Sequence, residues 1–417
     1  MKMKMKKNPF NLSLMAAILL TAFSSACSKE DPIDPPTPPV EDDKLLKGEL
    51  LENKTLESGK TYRLSGDYTV KAPAVLTIQP GVTIEAIDDN VIDYILVEQG
   101  AKVEANGSAE KPIIMTAQKK VAGAWGGIHI CGKAPINVNG GLGKSEIGDA
   151  PYGGATATDN SGTYRYIRIE YAGVKLDADH EANGFTLYGV GNGTKIEYCQ
   201  AYKGTDDGFE FFGGTVNVRH LVSTSNSDDS FDWTEGWCGK GQYLVAFQEE
   251  AKTLGYECDR LMECDNNSKN NDASPASHPV LANITLRGNN SADENKGISL
   301  RAGTQVELYN LLITGKKTSM TVETKQTENA LKDGTSKLQC VYLSNKMTSK
   351  EGIFQEADFL ASGNNAQEYD VEALLKGYVG TAKDGKADLT SVDAFFENAP
   401  YVGAVQAEKD WTAGWSK

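Results

Sequence analysis

Two short acidic runs carry the residues best suited to chemistry. Thr205-Asp206-Asp207-Gly208-Phe209-Glu210-Phe211 returns 22 residues later as Ser227-Asp228-Asp229-Ser230-Phe231-Asp232-Trp233. Asp259-Arg260-Leu261-Met262-Glu263-Cys264 keeps the same frame. Self-similarity at such a period marks stacked repeats, each touching only its neighbours. Overlaying the copies gives two rungs of carboxylates. Asp206, Asp228 and Asp259 form one, with Asp207 and Asp229 beside it at a corner. Glu210, Asp232 and Glu263 form the other, pointing outward between buried aromatics.

Neighbouring coils of a strand stack lie ~4.8 Å apart. Two carboxylates at that spacing repel by roughly 3.5 kcal/mol at an effective dielectric of about 20. A row of three therefore needs a cation, shared protons, or cationic and N–H neighbours. Calcium suits the set, because it takes several hard oxygen ligands in flexible geometry. Asp206, Asp207, Asp228, Asp229 and Asp259 are its expected ligands, and Glu210, Asp232 and Glu263 the expected ligand-binding row. Two plainer roles compete. Asp at a solenoid corner caps turn N–H groups, and charges on a strand face are often only solvated.

Catalysis is the other use of such a row. Carboxylates about 5–5.5 Å apart suit a retaining glycosidase, and wider pairs an inverting one. Calcium held by the acids also suits a polysaccharide lyase, in which Arg260, Lys296 or Arg301 would take a proton acidified by the metal. His129 falls on the same outward row, several rungs earlier.

These residues need strands to position them. Apolar residues alternate within each copy (Phe209 and Phe211; Phe231 and Trp233), which is strand periodicity. Asn183 to Gly189, Gly127 to Gly132 and Asn295 to Arg301 repeat the frame. Partner strands fall at Ile167 to Tyr171, Thr194 to Tyr198, Val216 to Leu221, Ala282 to Leu286 and Val306 to Ile313. The first coils are visible at Val75 to Ile84, Ile95 to Val103 and Ile113 to Thr116. One short strand per turn of chain predicts an all-β parallel solenoid, and 42 glycines suit its many tight corners. Short helices or irregular segments are expected only late, at Phe354 to Ser362 and Val371 to Gly377. Trp411 to Trp415, with Tyr401, is expected to cover the open end of the stack.

The beginning of the chain reads as an address. Residues 1–26 hold four lysines and then an apolar run from Leu12 to Phe23, too short to span a membrane. Ser24-Ser25-Ala26-Cys27 resembles the lipoprotein signal of Gram-negative bacteria, which implies cleavage and acylation at Cys27. Ser28-Lys29-Glu30-Asp31 resembles the surface-export signal of Bacteroidota lipoproteins. Residues 27–44 then form a proline- and acid-rich spacer. The expected organisation is a signal peptide over 1–26, that linker over 27–44, a β-helix over 45–349 and a C-terminal capping segment over 350–417.

A net charge of −15 argues against nucleic acid as a partner. Six cysteines follow Cys27, at 131, 199, 238, 258, 264 and 340, and their pairing stays open in a compartment that permits disulfides. Cys131 and Cys264 are expected to point inward. No zinc-type cysteine and histidine spacing is present.

Paired aspartates invite comparison with the pectin-degrading β-helix enzymes. None of the histidines at 129, 180, 220 and 278 is flanked by glycines, and no Arg-x-Lys occurs, so the polygalacturonase pattern is incomplete. A closer resemblance rests on Leu76 to Ile84, Trp125-Gly126-Gly127-Ile128, Gly132 to Asn137, Gly204 to Gly214, Asp228 to Asp232, Asp272 to Pro275 and Trp411 to Trp415. These are similar to a family of right-handed parallel β-helix, pectin-lyase-like surface lipoproteins of Bacteroidota. The resemblance implies a right-handed β-helix lipid-anchored in the outer membrane, facing the exterior and acting beside a TonB-dependent transporter. Non-catalytic capture of a glycan or nutrient is the expected role, and a calcium-dependent polysaccharide lyase the alternative.

Overall fold

The computed structural model describes residues 42–176, 181–291, 295–383 and 387–417. Cys27 and nearly all of the spacer lie outside the described residues. The chain from Asp43 to Lys417 forms one compact unit. No described helix is long and apolar enough to cross a membrane.

The unit is a right-handed parallel β-helix in which 23 strands join one continuous parallel sheet. Each coil in the middle of the stack places a short strand on one side, here called the site face. Its members are Ile128–Cys131, Phe185–Tyr188, Phe209–Phe212, Phe231–Thr234, Met262–Cys264 and Lys296–Leu300. A longer strand, such as Lys195–Tyr202 or Asn217–Thr224, wraps the rest of the coil.

The long strands turn their corner at a single residue of positive φ. Tyr166, Tyr198, His220, Tyr243, Asn283, Asn310 and Cys340 occupy that place in successive coils. Pairing skips it: Arg165 lies opposite Glu197, and Ile167 opposite Cys199. Asparagine tolerates this conformation, whereas a bulky side chain costs roughly 1–2 kcal/mol there. The rings offset part of that cost by stacking, at about 0.5–1.5 kcal/mol per pair. Their centroids stand 4.4 Å (Tyr166–Tyr198), 4.1 Å (Tyr198–His220) and 4.6 Å (His220–Tyr243) apart.

Inside, alternation does what the sequence predicts. Phe185, Phe209 and Phe231 stack along the axis at 4.9 and 5.5 Å, and Phe211 lies on Trp237 at 3.9 Å. The corner that presents Asp206 and Asp207 is tight. A Cβ at Gly208 would stand 2.4 Å from the Ser223 hydroxyl and 2.8 Å from the Ser230 carbonyl.

Several expectations are corrected. A strand over Lys240–Phe247 completes a coil that the repeat pattern did not reveal. The helices Lys325–Asp333 and Glu356–Ala361, not the terminal tryptophans, close the far end of the stack, with Leu331, Phe354 and Phe359 buried in the solenoid core. Buried Glu328 accepts the N–H groups of Glu351, Ile353 and Phe354 there, which ties the closure together.

The tail beyond residue 366 instead lies along the long strands. Trp415 is buried with Val222 and Val245, its carbonyl accepting from Arg168, while Asn283 donates to Tyr401 and Thr285 accepts from Ala404. Cys264 points inward as expected. Cys131 does not: it sits outside the site face with Tyr152 and Tyr188, under the insertion that follows it. All six described cysteines are free thiols, and only Cys238 is exposed.

Candidate functional site

Strand register brings the outward acids into one row. Glu210 lies opposite Asp232, and Asp232 opposite Glu263; Thr186 precedes them, and Ser299 and Thr321 follow. His129 occupies the row opposite Thr186. It is fully buried, its Nε2 at 2.7 Å from the Gly126 carbonyl, and burial pulls its pKa down to about 4. It therefore takes no part in the site.

The corner acids divide their oxygens. Asp207 Oδ1 accepts the N–H of Asp229 at 2.8 Å, and Asp229 Oδ1 accepts the N–H of Arg260 at 2.7 Å. Asn183 does the same one coil earlier, accepting from Asp207 at 3.2 Å. Turn capping thus uses one oxygen of each aspartate. Asp207 and Asp229 also join groups in which three carboxylates approach within 4.8 Å: Asp207 with Glu210 and Asp232, Asp207 with Asp228 and Asp229, and Asp229 with Asp232 and Glu263. Glu181, Asp206 and Asp228 form a further group.

Most of these acids line a cleft of about 320 Å³, together with Asn183 and Glu146. Burial, then the charge of Asp228, raises the pKa of Asp206 to about 8. Asp207, Glu210, Asp229 and Asp232 are all pushed well up, first by burial and next by the neighbouring acids Asp206, Asp232, Asp228 and Glu263 respectively. Relief is scarce. Asn183 Nδ2 donates to Glu210 at 2.6 Å, while Asp232 Oδ1 is buried without a hydrogen-bond partner among the described residues. Glu181 at the cleft pairs with Lys175 at 2.6 Å, but the buried acids Asp206, Asp207, Glu210 and Asp232 face so little positive charge that they must hold protons or cations. Hard carboxylate oxygens at this spacing, one of them orphaned, fit a calcium ion.

The basic residues stand on the other side of the row. Arg260 Nη1 lies 2.8 Å from both Asp259 and Glu263 and 4.0 Å from Asp229. Arg301 pairs with Glu263 at 2.6 Å and with Asp265 at 2.8 Å. Lys296 pairs with Glu323 at 3.1 Å. All three side chains expected as proton acceptors are thus engaged as cations. Asp259 turns to Arg260 and joins none of the three-acid groups. Burial raises the pKa of Glu263 to about 6, the charges of Arg301 and Arg260 limiting the rise.

Sequence reading did not single out Glu146, Glu181, Asn183 or Asp265. Asn183 had a signal, because it fills the Asp207 place in the frame. Asp265 directly follows the third copy. Glu146 had none: it comes from the insertion after Cys131 and reaches the cleft beside the Tyr188 hydroxyl, 3.3 Å away.

An acid-lined cleft on the short-strand face of a right-handed parallel β-helix defines the class of molecule. Residues 48–416 match the family model of the pectate-lyase-like beta helix domain, and the chain belongs to that family. No curated protein and no solved structure matches it.

Proposed function

We propose that the protein captures a glycan through a calcium-loaded acidic cleft, without catalysing a reaction. The carrying observation is the convergence of Glu181, Asp206, Asp207, Glu210, Asp228 and Asp232 in one cleft, where among the described residues only Glu181 is paired with a cation on that side of the row, Lys175 at 2.6 Å. Bound calcium would supply positive charge to which the carboxylate or hydroxyl oxygens of a sugar can add. Asp206, Asp207, Glu210, Asp228 and Asp232 are its ligands in this reading, and Glu146 and Glu181 line the way in. Capture rather than turnover is supported by Arg260, Arg301 and Lys296, whose positive charges are already matched by carboxylates.

Calcium titration of the full-length protein by calorimetry tests this. Saturable binding that Glu210→Gln/Asp232→Asn abolishes supports it. A wild type that binds no calcium discards it.

Membership of a pectate-lyase-like family favours a second reading, a calcium-dependent polysaccharide lyase in which substrate displaces Arg260 from Glu263. Appearance of an unsaturated, ultraviolet-absorbing product from uronic-acid polymers would establish it.

The proposed location is the outer membrane, with acyl chains on Cys27, the spacer as a stalk and a TonB-dependent transporter as partner. Radiolabelled palmitate incorporation that Cys27→Ser abolishes, and co-purification with a transporter, are the corresponding tests.

A further inference from the structure

The tail that crosses the long strands leaves a second cavity, of about 600 Å³, far in chemistry from the acidic cleft. That volume is within the range of small-molecule sites, roughly 300–1,000 Å³. Its floor is the corner ladder, His220 and Tyr243, and its far wall is the tail, with Tyr401 and Trp411. Trp411 stands nearly perpendicular to His220, 4.8 Å away, and its indole N–H is already given to the Ala404 carbonyl.

The polar groups of the cavity have a definite balance. Glu397 is neutralised, since Arg219 binds one of its oxygens at 2.9 Å and the Tyr243 hydroxyl donates to the other at 3.2 Å. Lys383 and Lys409, at the exposed rim, have no ion-pair partner among the described residues. His220 is 9% exposed, and its Nδ1 is buried with no hydrogen-bond partner. Burial and then the charge of Arg219 lower its pKa to about 3, so the ring is neutral; Nδ1 is sealed from the cavity, and Nε2 is the nitrogen left to meet a ligand hydroxyl.

We infer that this cavity binds an acidic pyranose, with its ring against Tyr401 and Trp411, its hydroxyls on His220, Asn398 and Gln406, and its carboxylate toward Lys383 and Lys409. The weakly positive C–H groups of a sugar ring suit the negative faces of aromatic rings. The two lysines, without an ion-pair partner among the described residues, favour an acid over a neutral sugar. This site needs no metal and does not depend on the reading of the acidic cleft.

The experiment is titration of the full-length protein with glucuronate and with glucose in the presence of EDTA, by calorimetry and ligand-observed NMR. Saturable glucuronate binding stronger than glucose binding is expected. Lys383→Ala/Lys409→Ala should weaken it about tenfold, as loss of two charge contacts implies. His220→Phe, which keeps a ring in the stack but removes both nitrogens, should weaken it while leaving the urea midpoint close to wild type. Glu210→Gln/Asp232→Asn should leave it unchanged. No saturable glucuronate binding, glucose bound equally well, or loss of binding in the Glu210/Asp232 double variant would each overturn the assignment.

Discussion

Two stretches of the same acidic row have opposite fates. Around Glu210 and Asp232 the carboxylates face one another, with Asn183 as the nearest donor. One coil further on, Glu263 and Asp265 are held by Arg260 and Arg301 at 2.6–2.8 Å. The backbone is the same parallel ladder in both places. What differs is the company each acid keeps: register sets Glu210 against Asp232, whereas Glu263 has Arg260 three residues before it on its own coil and Arg301 reaching back from the next. The second stretch is a finished structural network, and the first is stable only with help from solution.

The comparison can be broken most severely from its compensated side. Arg301→Ala would leave Glu263 and Asp265 facing each other with only Arg260 nearby. A loss of about 3 kcal/mol in urea unfolding at neutral pH is expected, because removing one partner of a buried pair strands the other. The loss should shrink in acid, where Glu263, held to about 6, is protonated.

Proton dependence sharpens the other side. Asp206 is raised to about 8 in the folded protein, against about 3.9 in an unfolded chain. Protons are therefore bound more tightly by the folded form. The stability they confer is fully present below about pH 4 and lost as pH rises through about 8. In EDTA the melting temperature should fall from pH 5 to pH 8, by an amount corresponding to a few kcal/mol. A flat profile would show that the cleft acids are relieved by something other than protons.

Calcium should remove that dependence. At a hundred times its dissociation constant, a ligand bound only by the folded form adds about 2.7 kcal/mol. Calcium that raises the melting temperature of wild type but not of Glu210→Gln/Asp232→Asn would separate the two stretches cleanly. The smallest effect belongs to Glu210→Gln alone. Without calcium it should stabilise the protein by about 1 kcal/mol at pH 8, because an amide needs neither the bound proton nor the repelled charge that Glu210 must carry there. Destabilisation instead would mean that Glu210 is ionised and already paired.

The regular part of this design was legible in the sequence. Asp207 and Asp229 are 22 residues apart, and the Phe-x-Phe and Phe-x-Trp alternation fixes which side faces out. Period and alternation together set register, because a one-residue slip would exchange the faces. The irregular part was not legible. The coil after Asp229 takes 31 residues to reach Arg260, and that excess hid the strand Lys240–Phe247. The next, from Asp265 to Arg301, takes 36. Glu146 gave no signal because insertions fold back according to packing, not period. The terminal tryptophans were legible as buried aromatics but not as to place, since a solenoid offers both an end and a side for them to cover.

Sequence by itself therefore determined the solenoid, its coil frame and the alignment of Glu210, Asp232 and Glu263, since all three follow from local periodicity. Tertiary structure alone decided which acids stay uncompensated, where Glu146 enters and how the tail builds a cavity over His220. Those outcomes depend on contacts between residues far apart in the chain, which no local pattern encodes.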